Sequence, residues 1–218
     1  MSFSAKERML RRVAADFEAG MVVNLGIGLP SQVIPYVPLE VAVCLHAENG
    51  IAGVGPVAKK GSENRSLIDS GGAYVTSIPG TSFFDSAVSF AIVRSGRLDL
   101  TLLGAFQVAA NGDLANWRVP GKLSPGPGGA IELAQKSRRV GVVTTHLDRA
   151  GNPKIVDHCS LPITALGHVN RIYTDLAIID VTRDGLQLVE LAQGTEIEDV
   201  IAGTGAPLAI PPGRIPRF

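Results

Sequence analysis

Residues 41–53 read VAVCLHAENGIAG, in which an apolar run ends at one acidic residue and a glycine-rich turn follows. Valine, cysteine and leucine without polar alternation are typical of a strand buried on both faces of a parallel sheet. Binding sites in open α/β sheets lie just beyond the carboxyl ends of such strands. The sequence therefore predicts an α/β fold in which Glu48 stands at the edge of the sheet that bears the site.

Glu48 has two possible roles at that edge. In the simpler interpretation it is a surface loop residue or a helix cap. In the other, its carboxylate attacks an activated acyl group and divides one difficult transfer into easier steps. That chemistry needs an amide-rich turn to stabilise the oxyanion, and Asn49 and Gly50 are candidates to supply it. Gly50, Gly53 and Gly55 are predicted to let backbone amides approach a ligand closely.

Two further loops are rich in glycine. Residues 26–31, GIGLPS, begin like a dinucleotide fingerprint but have Ser31 where the third glycine is needed. A tight strand-to-helix turn capped by Ser31 is therefore favoured over a Rossmann cofactor site. Residues 120–129, PGKLSPGPGG, precede a predicted helix at 130–135. Free amides at a helix start can hold an anion or a carbonyl oxygen, and an ordinary loop is the alternative.

The remaining patterns predict one α/β domain over residues 1–218, with a mixed, largely parallel sheet flanked by helices. Ser4 and Glu7 form a capping box for a first helix, and Gly20 is predicted to end it. A β-hairpin is predicted over 176–191. Further strands are predicted at 21–25, 74–78, 98–103, 139–144 and 206–210, and a further helix from Asp85 or Ser86 through Arg94.

Three local predictions depend on Pro, Gly and capping residues. Residues 79–82, PGTS, are predicted to form a turn that ends the strand at 74–78. Thr195 and Glu198 form a second capping box, before a short helix. The proline-rich segment after residue 210 is predicted to be loose.

Composition limits the kinds of partner. The chain has 218 residues, and its 20 Lys and Arg balance 20 Asp and Glu, which argues against a nucleic acid or a charged membrane surface. Charged residues make up 18% of the chain, below the roughly 25% of ordinary soluble domains. A chain short of charge is expected to bury surface against a partner.

The cysteines and histidines carry no metal or redox pattern. Cys44 and Cys159 have no CxxC spacing, so reduced thiols in a cytoplasmic protein are expected. The first residues, MSFS, lack the apolar core of a leader, and no apolar run reaches transmembrane length. The four histidines form no spaced ligand set. His46, two residues before Glu48, could tune the carboxylate, but a hydrogen-bonded structural histidine is favoured.

The Glu48 segment resembles the Ser-Glu-Asn-Gly signature of family I coenzyme A transferases, and the likeness extends over nearly the whole chain. Five further motifs occur in the order that the family has them: NLGIG at 24–28, FFDSA at 83–87, GDLANW at 112–117, VPGK at 119–122 and GGA at 128–130. Among these transferases the chain is similar to the β (B) subunit of the 3-oxoacid group. It departs from the pattern at Ala47, where the family usually has serine, and at Gly72, where it often has lysine.

The resemblance implies a fold, a reaction and a set of site residues. The fold is the three-layer coenzyme A transferase fold, and Glu48 is the nucleophile that becomes a glutamyl–coenzyme A thioester. A separate α (A) subunit is implied, in an assembly that is often α2β2. Coenzyme A is a substrate, and no metal or redox cofactor is implied. Residues expected to contact coenzyme A or the acid are Asn24, Asn49, Gly50, Phe84, Lys122, Gly128, Gly129 and Ala130.

Two alternatives share this fold. Water could intercept the glutamyl intermediate, which would give an acyl-coenzyme A hydrolase. The chain could also be a non-catalytic subunit that only binds an acyl-coenzyme A. Acetoacetate with succinate fits the segments VPGK and FFDS somewhat better than 3-oxoadipate does.

Overall fold

A computed structural model describes residues 3–38, 40–124 and 126–218. Pro125, in the predicted glycine-proline loop, and the first two residues of the chain lie outside the described residues. The helices are α1 (Ala5–Ala14), α2 (Ser86–Arg94), α3 (Ala130–Lys136) and α4 (Ile197–Gly203), with a 3₁₀ helix at Pro30–Tyr36. The strands are β1 (Val22–Leu25), β2 (Cys44–Ala47), β3 (Ile51–Val57), β4 (Val75–Phe83), β5 (Leu100–Leu103), β6 (Gln107–Ala109), β7 (Leu114–Ala115), β8 (Val140–Val143), β9 (Ile155–Val156), β10 (Arg171–Tyr173), β11 (Ala177–Thr182), β12 (Gly185–Leu191) and β13 (Leu208–Ala209).

Ten strands form one sheet in the order β13-β12-β11-β10-β8-β5-β1-β2-β3-β4. Its centre, from β10 to β2, is wholly parallel, and antiparallel strands extend it on both sides. A second sheet has the order β7-β6-β9. The mixed, largely parallel sheet confirms the predicted fold class. Because the central strands run the same way, their carboxyl ends meet at one edge.

Both faces of the large sheet are covered, as the apolar strand sequences require. Ile178 and Ile179 are adjacent on β11, so their side chains point to opposite faces. Ile178 packs with the apolar side of α1, including Leu10 and Val13. Ile179 packs on the opposite face, in an apolar cluster that also contains Ala134 of α3 and Val200 of α4.

The predicted caps and the predicted hairpin are confirmed in part. The side chain of Ser4 accepts a hydrogen bond from the Glu7 amide at 3.2 Å, which confirms that N-cap, although α1 ends at Ala14. Strands β11 and β12 confirm the hairpin. The cap of α4 is Glu196, whose amide donates to Asp199, so the predicted box at Thr195 was one residue early. Ser31 does not cap its helix: the hydroxyl donates to the carbonyl of Gly28.

Two segments differ from the local prediction. Residues 79–82 belong to β4 rather than to a turn, because β4 is the last strand of the sheet and an edge strand tolerates a proline. The proline-rich segment after residue 210 is held by the sheet and is not loose. The Leu191 amide donates to the Pro216 carbonyl, and the Phe218 amide donates to the Leu191 carbonyl.

An ion-pair network ties α1 to the far end of the sheet. Arg12 contacts both carboxylate oxygens of Glu190, and Asp16 accepts from Arg12, Arg171 and the hydroxyl of Tyr173. Burial alone would raise the pKa of Asp16, but the hydrogen bonds from Tyr173 and Arg12 outweigh it and hold the pKa below its ordinary range. The first helix is therefore joined to strands that lie far away in sequence.

His146 makes stability sensitive to acid. Its ring nitrogens lie 3.0 Å from the hydroxyls of Thr174 and Thr204, and its side chain is fully buried. Burial lowers the pKa of His146, so below a pH of about 6.5 the unfolded chain takes up a proton that the folded protein resists. As the pH is lowered from the unfolded to the folded pKa value, the free energy of unfolding should fall by at most about 1.4 kcal/mol per pH unit.

Urea unfolding from pH 8 to pH 5 measures that slope. The variant His146→Asn should have a shallower pH dependence than the unchanged protein, whatever its stability at pH 8. His168→Asn is the control for the loss of an imidazole from an exposed position, and its slope is compared with that of His146→Asn. Equal slopes for the protein and for His146→Asn would contradict the prediction.

Candidate active site

Glu48 follows β2 directly, at the carboxyl edge of the parallel centre of the sheet. A turn over residues 48–50 joins β2 to β3, and the neighbouring strand β1 pairs Asn24 with His46. The amide nitrogen Nδ2 of Asn24 lies 3.3 Å from Oε2 of Glu48 and 3.0 Å from the carbonyl oxygen of His46. The structure therefore places Glu48 where the sequence predicts it, partly buried and held by the next strand. Strand β2 is shorter than the apolar run suggested.

The turn after Glu48 is held by backbone contacts. The Gly50 amide donates to the Ala47 carbonyl, and the Gly50 carbonyl accepts from the Phe84 amide, both at 3.0 Å. At Gly50 the φ angle is +120°, and a Cβ would lie 2.0 Å from the carbonyl oxygen of Phe84. Only glycine fits there. The side chain of Asn49 turns outward and donates to the Ile68 carbonyl at 2.8 Å.

These contacts correct one expectation about the glycines. The amide of Gly50 is already bonded within the turn and is not free for a ligand. Gly53 and Gly55 serve β-sheet packing, since a Cβ on either would crowd β4, at Thr81 and Thr76 respectively. The glycine-rich run after Glu48 thus brings two strands together rather than bringing amides to a substrate.

A buried polar layer lies beneath Glu48. Nε2 of His46 lies 3.0 Å from the hydroxyl of Ser89 on α2, and Nδ1 lies 3.3 Å from Nδ2 of Asn24. The ring of Phe84 stacks on His46, with 6.3 Å between centroids. Burial lowers the pKa of His46, and the nearby charge of Glu48 offsets part of this effect. His46 is hydrogen-bonded within the fold and also adjoins the carboxylate.

The start of α3 reaches Glu48 from a distant part of the chain. A Cβ on Gly129 would lie 3.4 Å from Cγ of Glu48 and 3.0 Å from Cζ of Phe90. Gly128 has φ of +53°, and Ala130 begins the helix with its amide bonded to the Pro127 carbonyl. The structure therefore brings Asn24, Phe84 and Gly129 around Glu48, with Gly128 and Ala130 adjoining in sequence.

Lys122 is the predicted site residue that the structure does not bring to Glu48. It is exposed, its backbone amide donates to the Val119 carbonyl, and within the described part of the chain its side chain makes no hydrogen bond or ion pair. Ser89 and Phe90 also lie at the site, and the sequence patterns did not indicate either as a site residue. Ser89 carried a signal, because it is a polar residue on the inward face of an otherwise apolar helix.

The two departures from the family signature lie away from the carboxylate. Ala47 is buried and packs with Ile51, Val54 and Val75. Gly72 is in an exposed turn with φ of +82°, where its amide donates to the Asp69 carbonyl. A side chain at that position would strain the turn.

Other parts of the described chain offer no second centre of this kind. A separate cavity lies at the amino ends of the parallel strands, between Asp16, Arg139 and Arg171. Within residues 3–38, 40–124 and 126–218, no group of three or more His, Cys, Asp or Glu side chains could hold a metal ion. No helix in those ranges combines the length and the apolar character needed to span a bilayer.

Residues 6–203 match the model of the family described as coenzyme A transferase. The chain belongs to this family. The family assignment confirms the resemblance carried by the sequence motifs.

Individual relatives of this coenzyme A transferase agree over most of its length. It is 45% identical over 205 residues to the β (B) subunit of a 3-oxoadipate CoA-transferase from Acinetobacter baylyi, covering 93% of this chain and 94% of the relative. It is 42% identical over 206 residues to the β (B) subunit of a probable succinyl-CoA:3-ketoacid coenzyme A transferase from Bacillus subtilis, covering 94% and 95%.

A solved structure shows that the fold is shared. The apoenzyme of an acyl-CoA transferase from Escherichia coli O157:H7 superposes with a TM-score of 0.78 at 19% identity. The match covers 100% of this coenzyme A transferase but only 44% of that chain, so the present chain corresponds to less than half of the solved one.

Proposed function

We propose that this chain is the β subunit of a 3-oxoacid coenzyme A transferase and that Glu48 is its nucleophile. The single observation that carries the proposal is the position of Glu48. Its carboxylate follows a strand at the carboxyl edge of the sheet, receives a hydrogen bond from Asn24, and is bordered by the backbone of Gly129.

The proposed reaction conserves atoms and charge at each step. A carboxylate oxygen of Glu48 attacks the acyl carbon of the donor thioester, the C–S bond breaks, and coenzyme A leaves as the thiolate. The thiolate attacks the glutamyl carbonyl of the resulting anhydride and releases the donor acid. Glu48 then carries coenzyme A as a thioester, and the acceptor carboxylate reverses the two steps.

Asn24 is proposed to hold the nucleophile beside coenzyme A. Its Nδ2 donates to Glu48, whereas its Oδ1 is buried and makes no hydrogen bond with the described residues. Because Asn24 is 0% exposed, a substrate reaches the Glu48 carboxylate rather than the Asn24 side chain. Gly128, Gly129 and Ala130 are proposed to border the coenzyme A arm.

A separate α subunit is proposed as the partner, in an α2β2 assembly. Both relatives compared above carry names that designate one of two subunits. Ile27, Val57 and Phe83 are each more than 60% exposed, and Phe83 pairs with Ile51 directly after the Glu48 turn. Apolar exposure at this level suits an interface that also closes the cleft over Glu48.

Both cysteines are free thiols, which suits the proposed cytoplasmic location.

The acid pair is proposed to be succinate with acetoacetate, with 3-oxoadipate as the competing acceptor. Relatives with both specificities are almost equally similar in sequence, so identity alone does not rank them. Turnover with each acid, in the presence of the α subunit, gives that ranking directly. Release of coenzyme A without any acceptor acid would indicate a hydrolase instead.

The test of the covalent step is a mass measurement. The chain, purified with its α partner, is incubated briefly with acetoacetyl- or succinyl-coenzyme A and digested. We expect a coenzyme A adduct on the peptide that contains Glu48, and we expect a carboxylic acid to discharge it. The adduct should be absent in Glu48→Ala and present in the control Glu63→Ala, because Glu63 is exposed in a neighbouring loop.

A complex that binds coenzyme A but gives no adduct with either donor would overturn the covalent proposal. Retention of activity by Glu48→Ala would overturn it as well. Binding with no turnover in any variant would point to a non-catalytic role in acyl-coenzyme A binding.

A further inference from the structure

A buried polar chain runs from α2 to the carboxylate of Glu48 across two strands. It passes from Ser89 to His46, from His46 to Asn24, and from Asn24 to Glu48, with distances of 3.0, 3.3 and 3.3 Å. Ser89, His46 and Asn24 are 0%, 3% and 0% exposed. The proposed reaction uses only the last two members, so the first two have no assigned role.

The hydrogen-bond partners fix the direction of the whole chain. Nδ2 of Asn24 faces the carbonyl oxygen of His46 and Oε2 of Glu48, and both of these atoms can only accept when Glu48 is ionised. The amide nitrogen is therefore correctly oriented as the donor. Nδ1 of His46 faces the same nitrogen, so Nδ1 carries no proton. The ring proton is then on Nε2, which donates to the hydroxyl of Ser89.

We propose that His46 and Ser89 are positioning residues that fix the orientation of the Asn24 amide and, through it, the Glu48 carboxylate. The Ser89 hydroxyl accepts a hydrogen bond from Nε2–H and so stabilises that tautomer of the ring. That tautomer leaves Nδ1 as an acceptor, which favours the amide nitrogen of Asn24 on the Glu48 side. The inference rests on the proposed role of Glu48 as nucleophile.

The opposite tautomer would disturb this arrangement. A proton on Nδ1 would face the N–H groups of Asn24 at 3.3 Å. Turning the amide over would give no relief, because Oδ1 would then face the His46 carbonyl and the Glu48 carboxylate. The amide would instead move away from the ring, and its hydrogen bond to Glu48 would weaken. One proton on one ring thus decides how firmly the nucleophile is held.

The surroundings of the ring keep it neutral. Asn24 on β1, Ser89 on α2 and the stacked ring of Phe84 are uncharged, and Glu48 is the charged group that faces this layer. Burial lowers the pKa of His46 more than Glu48 raises it. Protonation of His46 at acid pH would impose the same repulsion between Nδ1–H and the Asn24 amide, so transfer activity should fall in that range.

Three variants separate positioning from packing. Ser89→Ala removes the acceptor for Nε2. His46→Asn has a side-chain oxygen near the position of Nδ1 and cannot titrate, whereas His46→Leu keeps a comparable apolar bulk and no acceptor. Transfer from acetoacetyl-coenzyme A to succinate is measured from pH 5 to pH 8 with the α subunit present. Nitrogen-15 NMR of the unchanged complex reports which ring nitrogen of His46 carries the proton.

We expect the Nε2–H tautomer in the unchanged complex and a fall of about tenfold in kcat for Ser89→Ala. His46→Asn should keep more activity than His46→Leu and should lose the part of the acid limb that His46 causes. A packing role would instead favour leucine over asparagine. A proton on Nδ1, or unchanged rates in both Ser89→Ala and His46→Leu, would overturn the inference.

The adduct experiment distinguishes the two levels of proposal. If the unchanged complex forms no glutamyl–coenzyme A, the proposed nucleophile fails, and the positioning role fails with it. If the adduct forms at the same rate in the unchanged protein, Ser89→Ala and His46→Leu, only the positioning role fails.

Discussion

Glu48→Gln should lower the turnover of coenzyme A transfer by at least about 10⁴-fold, because the amide cannot form the anhydride or the thioester. The substitution is nearly isosteric, and its side-chain oxygen can still accept from Nδ2 of Asn24. Folding and assembly with the α subunit should therefore be preserved. Steady-state transfer assays with thermal unfolding curves of the same samples provide the measurement.

Two further substitutions sharpen that test. Glu48→Asp keeps the charge but withdraws the carboxylate by about 1.5 Å, and a misplacement of this size should cost at least about 10²-fold in turnover. Glu63→Gln removes a carboxylate from an exposed loop and should leave turnover unchanged. A Glu48→Gln protein within tenfold of normal turnover would exclude Glu48 as the nucleophile.

Gly50→Ala should lower the free energy of unfolding by about 3 kcal/mol or more. The added methyl group would stand 2.0 Å from the Phe84 carbonyl oxygen, and the φ angle of +120° is one that alanine rarely adopts. Relief would require β3 and the segment before α2 to separate, which would also displace the ring of Phe84 from His46. Urea unfolding and the transfer assay should both register the change.

Gly72→Ala is the matched control for this clash. Gly72 also has a positive φ, of +82°, but no atom lies within 4 Å of its added Cβ. It therefore reports the cost of the backbone conformation without the steric overlap. Equal losses of stability in the two variants would show that the approach of Phe84 is not the cause.

The sequence predicted the features that depend on neighbouring residues. The apolar run and the turn after it placed Glu48 at the carboxyl edge of the sheet. Asp85 caps α2, at the start that the sequence predicted. The approach of Gly129 to Glu48 joins distant parts of the chain, so only the resemblance to a family could indicate that both belong to one site.

Two of the wrong predictions share a physical cause. The local sequence pattern at Pro79 and Gly80 indicates a turn. These residues lie instead in the edge strand β4, whose backbone has no neighbouring strand to hydrogen-bond on one side. Gly53 and Gly55 suggested a ligand because the strand that packs on them was not visible in the sequence. In each case a tertiary neighbour, absent from the local pattern, decided the structure.

The ion pairs between Arg12 and Glu190 and between Asp16 and Arg171 have a consequence for how the chain is made. The ribosome produces α1 early, yet its apolar side is covered by Tyr173 and Ile178, which emerge far later. Parallel pairing between distant strands is slow to form, on the order of milliseconds to seconds. Until the strands around residue 180 are made, the apolar side of α1 lacks these two residues that cover it in the folded protein, so we expect chaperones to bind it during synthesis.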